Sequence, residues 1–233
     1  MNRRLYHTSF MIGLGLCLLS LPSLANVYVI IYATCGGRTG HAGIAVDNHQ
    51  IQDGNSTTDT VSDGTLTYYD LWPAEDDFAL FNLSKDREAR YYKLPNAIWP
   101  APVTIASLYD AGIPHREHYA PDALLMFRTT LRNDYLLKDF LDSTIRTPHP
   151  FNPRRFNCSD FVILALRQAT GKHIRAKEFM PFAFTTTPNK LCRRLMHLGD
   201  TVVIKSPGNK VKGAFLWERV FAKKPPPLFL VSN

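Results

Sequence analysis

Residues 156–171 read FNCSDFVILALRQATG, and the fold turns on how this stretch is taken. Asn157 is a strong N-cap, because its side-chain oxygen can accept an orphan N–H of a first helical turn. Asp160 three residues on places negative charge at the favourable end of the helix dipole. Phe161, Val162, Leu164, Ala165 and Leu166 supply an apolar body, and Gly171 supplies a C-terminal stop. Cys158 therefore falls in the first turn, where the dipole favours a thiolate, the form that attacks carbonyl carbon. The same position suits a small buried apolar residue on a core helix, since cysteine is among the most buried residue types. The rest of the chain has to decide between these readings.

The N-terminus reads as an export signal. Arg3 and Arg4 precede an apolar run, Phe10 to Leu21, that is short for a membrane span, and Ser23-Leu24-Ala25 offers a peptidase site. Cleavage after Ala25 predicts a periplasmic or secreted protein of 208 residues. With 45% hydrophobic and 12% aromatic residues, the chain is of globular composition and unlike a disordered one. The net charge of +7 falls to +5 without Arg3 and Arg4, which points to anionic partners. An anionic envelope substrate, peptidoglycan first, is expected, with peripheral membrane contact as a further option and no nucleic-acid partner. No inhibitor or immunity partner can be identified from the residues.

Three cysteines remain in the exported chain, Cys35, Cys158 and Cys192. If Cys158 is reactive, Cys35 and Cys192 form the default disulfide pair on the odd count. No CxxC or HExxH spacing occurs, so neither a metal nor another cofactor is expected. The glycine-rich CGGRTG turn (35–40) lacks the lysine and serine of a phosphate loop and precedes a strand, which discards it as a nucleotide cradle.

Around the cysteine helix the pattern is mixed. Residues 27–33, 41–46 and 48–53 read as a three-stranded meander with a turn at Asp47-Asn48, and 55–64 as a polar surface loop. Further strands are predicted over 78–83, 90–94, 124–130, 201–204 and 214–221. Helices are predicted over 133–145 and 188–198, the second led by Pro188. His115 and His118 fall in an irregular charged loop, and 223–233 is an extended proline-rich tail.

A cysteine nucleophile needs a base, and His41, between Gly40 and Gly43 at the start of a small-residue strand, is the best candidate. With a turn at Asp47-Asn48, the returning strand brings Gln52 or Asp53 across from His41. Asp53 would hold the imidazole tautomer and stabilise an imidazolium, whereas Gln52 could only orient the ring.

TGHAGIAVDNHQIQDG resembles the histidine-strand motif of NlpC-type cell-wall peptidases and of lecithin:retinol acyltransferase. NCSDFVILAL resembles their nucleophile helix, and PNKLCRRL the proline-led helix that follows it in some members. The order, histidine first and cysteine last, matches the circularly permuted branch of these papain-like hydrolases. The resemblance implies an α+β papain-like fold over 26–222 with a middle insertion at 57–121, in which an antiparallel sheet packs on the cysteine helix. It implies Cys158 as nucleophile, His41 as general base and Asp53, where the family often has histidine, as the third member. About 30 residues carry it; residues 57–155 contribute nothing. The expected activity is cleavage of amide bonds in peptidoglycan peptides. Acyl transfer on a lipid ester or thioester, and a non-catalytic binding module, are the alternatives.

Overall fold

The computed structural model describes residues 24–35, 40–53, 58–74, 84–113, 119–180 and 183–212. The predicted signal segment before Leu24, the His115/His118 loop, the predicted strands 78–83 and 214–221, and the tail lie outside them. The described chain is a mixed α+β structure. Its strands are β1 (Leu24–Tyr32), β2 (His41–Asp53), β3 (Thr58–Pro73), β4 (Ala89–Leu94), β5 (Ala123–Thr130), β6 (Lys177–Met180), β7 (Ala183–Thr186) and β8 (Thr201–Lys205). Its helices are α1 (Ile105–Asp110), α2 (Leu131–Arg146), α3 (Cys158–Thr170) and α4 (Pro188–Met196).

Six strands form one antiparallel sheet in the order β4-β3-β2-β1-β5-β8, and β6 and β7 form a separate hairpin. β1 is central. Val27, Val29, Ile30 and Ile31 are fully buried, so both of its faces are covered, which is why VYVIIY reads as a continuous apolar run. Val27, Val29 and Ile31 share one face with Ala42, Ile44 and Val46 of β2 and pack under α2, α3 and α4. Tyr28, Ile30 and Tyr32 share the other with Ala45, Tyr68 and Leu94, roofed by Val103, Leu108 and Ile113.

Two expectations about the first half of the chain are corrected. Asp47-Asn48 is no turn: β2 runs unbroken through it for 13 residues, with a register shift between Asp47 and His49. The polar pair is satisfied by neighbouring elements. Asp47 accepts from Asn26 Nδ2 of β1 at 2.9 Å. Asn48 donates to Thr65 Oγ1 of β3 at 2.8 Å, and Lys138 Nζ of α2 donates to Asn48 Oδ1 at 2.7 Å. Asx side chains that turn a chain do so by bonding their own backbone, and partners across the ladder remove that drive. The second correction follows. Much of the predicted polar loop, residues 58–64, belongs to β3, and the supposed insertion contributes two of the six strands of the sheet.

Candidate active site

The cysteine helix starts where the sequence places it. Asn157 is the N-cap of α3, its Oδ1 accepting from Ser159 N at 2.8 Å and Asp160 N at 3.3 Å, while Asp160 Oδ2 accepts from Asn157 N at 3.2 Å. This reciprocal box satisfies three backbone donors at once. Gly171 closes the helix in the left-handed conformation, φ 70°. Cys158 is the first helical residue and is buried, 9% exposed.

The cap is also a junction. Asn157 Nδ2 donates to Pro153 O and to Thr186 O, each at 3.0 Å, and Thr186 Oγ1 donates to Asp160 Oδ1. Burial pushes the Asp160 carboxyl above the ordinary carboxylate range, against the pull of the Thr186 and Asn157 hydrogen bonds. Directly after Thr186, Thr187 caps α4. Asn189 in the first turn of α4 then clamps the end of β1: it accepts from Thr34 N at 2.7 Å and donates to Thr34 O at 3.0 Å. Thr34 Oγ1 accepts from Gly40 N at 3.0 Å, next to His41. A chain of hydrogen bonds thus ties the tip of the cysteine helix to the end of the sheet where His41 opens β2.

His41 is almost fully buried, 1% exposed. Its Nε2 lies 2.9 Å from Asp70 Oδ2. The same carboxylate oxygen accepts from Tyr68 Oη at 2.8 Å and from Trp72 Nε1 at 3.0 Å. The Trp72 ring stacks on the imidazole, 3.9 Å between centroids and 16° between planes. Tyr68, Asp70 and Trp72 are alternate residues of β3, so all three project from one face, and the β2–β3 register sets Asp70 opposite Gly43. Gly43 is required there: a Cβ would stand 2.2 Å from the Tyr68 hydroxyl on its way to Asp70. A donor bond from Nε2 to Asp70 puts the proton of the neutral ring on that nitrogen and the basic lone pair on Nδ1.

His41 shares the sheet face of Tyr32 and Tyr68, whereas the body of α3 packs on the face of Ala42 and Ile44. What joins them is the hydrogen-bond chain from the α3 tip through Thr186, Asn189 and Thr34 to Gly40.

Asp53 is not the partner of His41, which corrects the predicted third member. The two residues lie at opposite ends of one strand, roughly 40 Å apart at about 3.3 Å per residue. Gln52, the fallback, is excluded by the same strand. Asp70 holds the place because β2 runs on to Asp53 and β3 pairs back along it from Thr58, instead of the chain turning at 47–48. The signal that could have found it is the alternation Tyr68-x-Asp70-x-Trp72, a carboxylate between two aromatic hydrogen-bond donors.

The expected Cys35–Cys192 pair is not formed: no disulfide joins the cysteines among the described residues. Cys192 is fully buried in α4, and burial pushes its thiol up to about 12. No cluster of three or more metal-ligating side chains occurs among the described residues. None of their helices is long and apolar enough to cross a membrane.

Compared with protein-family models, curated proteins and solved structures, the chain matches none of them.

Proposed function

We propose that the protein is an exported cysteine hydrolase of the papain-like, NlpC type, with Cys158 as nucleophile, His41 as base and Asp70 as the residue that orients His41. The observation that carries this reading is the buried His41–Asp70 pair under Trp72, at the sheet end to which the tip of the cysteine helix is hydrogen-bonded. A buried imidazole whose tautomer is set by a carboxylate, itself held by two further donors, is the arrangement a thiol nucleophile needs.

In the reaction, His41 takes the Cys158 proton and the thiolate adds to the carbonyl carbon of an amide. The tetrahedral oxyanion is stabilised by the Cys158 N–H at the N-terminus of α3. Collapse breaks the C–N bond, and the His41 imidazolium gives its proton to the leaving amine. Water then attacks the thioester while His41 accepts its proton, releasing the carboxylic acid and the free thiol. The positive net charge and the signal-like N-terminus favour peptidoglycan stem peptides as the substrate. A second reading, a lipid ester or thioester in place of the amide, draws support from two exposed phenylalanines, Phe179 and Phe184, beside the helix tip.

The test is digestion of purified peptidoglycan by wild type and Cys158→Ala, with products identified by mass spectrometry. Wall fragments carrying newly freed carboxyl and amine ends, lost in the variant, are expected. Fatty-acid release from lipid vesicles with intact peptidoglycan would replace the amide substrate by an ester. No Cys158-dependent product from either would overturn the hydrolase reading.

A further inference from the structure

The β6–β7 hairpin stands outside the main sheet, and its two faces differ. On one face Glu178 is pinned, accepting from Thr187 Oγ1 and, at 2.7 Å, from Arg193 Nη2 of α4. On the other face Phe179 and Phe184 are directly paired in register, their rings edge to face with 5.4 Å between centroids. They are 69% and 66% exposed, the most exposed phenylalanines among the described residues. Lys177, two residues before Phe179, shares that outward face and is exposed. It also lies close enough to Asp160 at the cysteine-helix tip to act on that carboxylate.

The hairpin is stapled to the basic loop that feeds the helix. Thr185 Oγ1 donates to Pro153 O, and exposed Arg154 and Arg155 follow directly. Two exposed aromatic rings and three exposed cations thus sit on the hairpin and loop that are hydrogen-bonded to the tip of the helix that bears Cys158. Roughly 250 Å² of bare aromatic surface is well short of the about 800 Å² per partner that a stable protein interface buries. It matches what a bilayer asks of a peripheral protein: a few rings at the acyl boundary and cations at the level of anionic headgroups.

We propose that the hairpin docks the protein on an anionic phospholipid bilayer, through Phe179 and Phe184 with Lys177 on its outward face and Arg154 and Arg155 on the loop stapled to it, and holds the cysteine-helix tip at the membrane–water interface. The docking needs neither turnover nor a particular substrate, so it stands or falls apart from the hydrolase reading.

The experiment uses the full chain carrying Phe179→Trp, mixed with phosphatidylglycerol–phosphatidylcholine vesicles that contain brominated lipid. Subtracting the wild-type signal isolates the added tryptophan from the native ones, whatever the N-terminal segment does. Expected are quenching of the added tryptophan with anionic vesicles and little with pure phosphatidylcholine. Lys177→Gln, Arg154→Gln and Arg155→Gln should each weaken binding about fivefold, and Cys158→Ser should not change it. Phe179→Ser with Phe184→Ser, verified as folded by near-UV circular dichroism, should lose the wild type's excess of co-sedimentation with anionic over neutral vesicles. The proposal is overturned if the added tryptophan is not quenched by anionic vesicles, or is quenched equally by neutral ones. It is also overturned if the double serine variant abolishes self-association seen by sedimentation, which would assign the face to a second copy of the chain.

Discussion

β2 carries two buried histidine–aspartate pairs eight residues apart, and they have opposite surroundings. His41 meets Asp70 at 2.9 Å at the start of the strand; His49 meets Asp134 at 3.1 Å beyond the bulge. Both histidine side chains are 1% exposed and both carboxylates 0%. Around Asp70 the remaining donors are a tyrosine hydroxyl and an indole, both uncharged, and the helix tip with Cys158 is tethered to the same sheet end. Around Asp134 the partners form a structural mesh. Thr129 Oγ1 donates to Asp134 at 2.6 Å, Lys138 bridges Asp47 O and Asn48, and Tyr28 is held protonated by burial and by Asp47. A His–Asp pair is therefore no catalytic signature in itself. What distinguishes the first pair is the cysteine-bearing helix tip tethered to its sheet end; what distinguishes the second is that its neighbours lock four elements, β1, β2, β5 and α2, together.

The sharpest break between the pairs is turnover. His41→Ala should lower kcat by about 10²–10⁴-fold, while His49→Ala in a folded preparation should leave it within a factor of a few. Equal losses in both variants would erase the distinction. Next, Asp70→Asn should lower kcat by up to about 10⁴-fold through the wrong imidazole tautomer, with Asp134→Asn nearly inert in the same assay.

Stability should rank the other way. His49→Ala leaves Asp134 buried without its histidine and should cost about 3–5 kcal/mol in urea denaturation. A cost under about 1 kcal/mol would show that the mesh does not depend on it.

The pH dependence sharpens the second pair. Burial raises the carboxyls of both Asp134 and Asp47 above the ordinary value near 3.8. The native state then binds these protons more readily than the unfolded chain does. Their contribution is fully present below the unfolded value and is lost as pH rises through the raised native values. The urea midpoint of wild type should fall over that rise, and Asp134→Asn should flatten the fall; an unchanged slope would assign the dependence to other groups. Smallest in energy is the cap. Asn157→Ala should destabilise by about 1–2 kcal/mol, and should slow turnover more than Thr130→Ala, which removes the cap of α2 beside the end of the cysteine helix opposite Cys158.

The parts of the fold that local chemistry specifies were legible from the residues. The Asn157–Asp160 box and Gly171 bound the cysteine helix as predicted, because caps are satisfied within four residues of chain. The predicted segments 90–94, 124–130, 133–145, 188–198 and 201–204 correspond to β4, β5, α2, α4 and β8, since each has its period and its terminators within itself. Export, the amide substrate and the role of Cys158 remain proposals that rest on residue chemistry.

What tertiary structure decided was partnership. Asp47-Asn48 has the composition of a turn, yet Asn26, Thr65 and Lys138 take its polar groups, and the strand continues. That one displacement moved the return of the hairpin, withdrew Asp53 from His41 and put Asp70 in its place. By itself the sequence determined a capped helix with a cysteine at its tip and a histidine opening a strand. Which carboxylate faces that histidine depended on the register of two strands, and register is set by side chains distant in sequence that satisfy each other only once the sheet has formed.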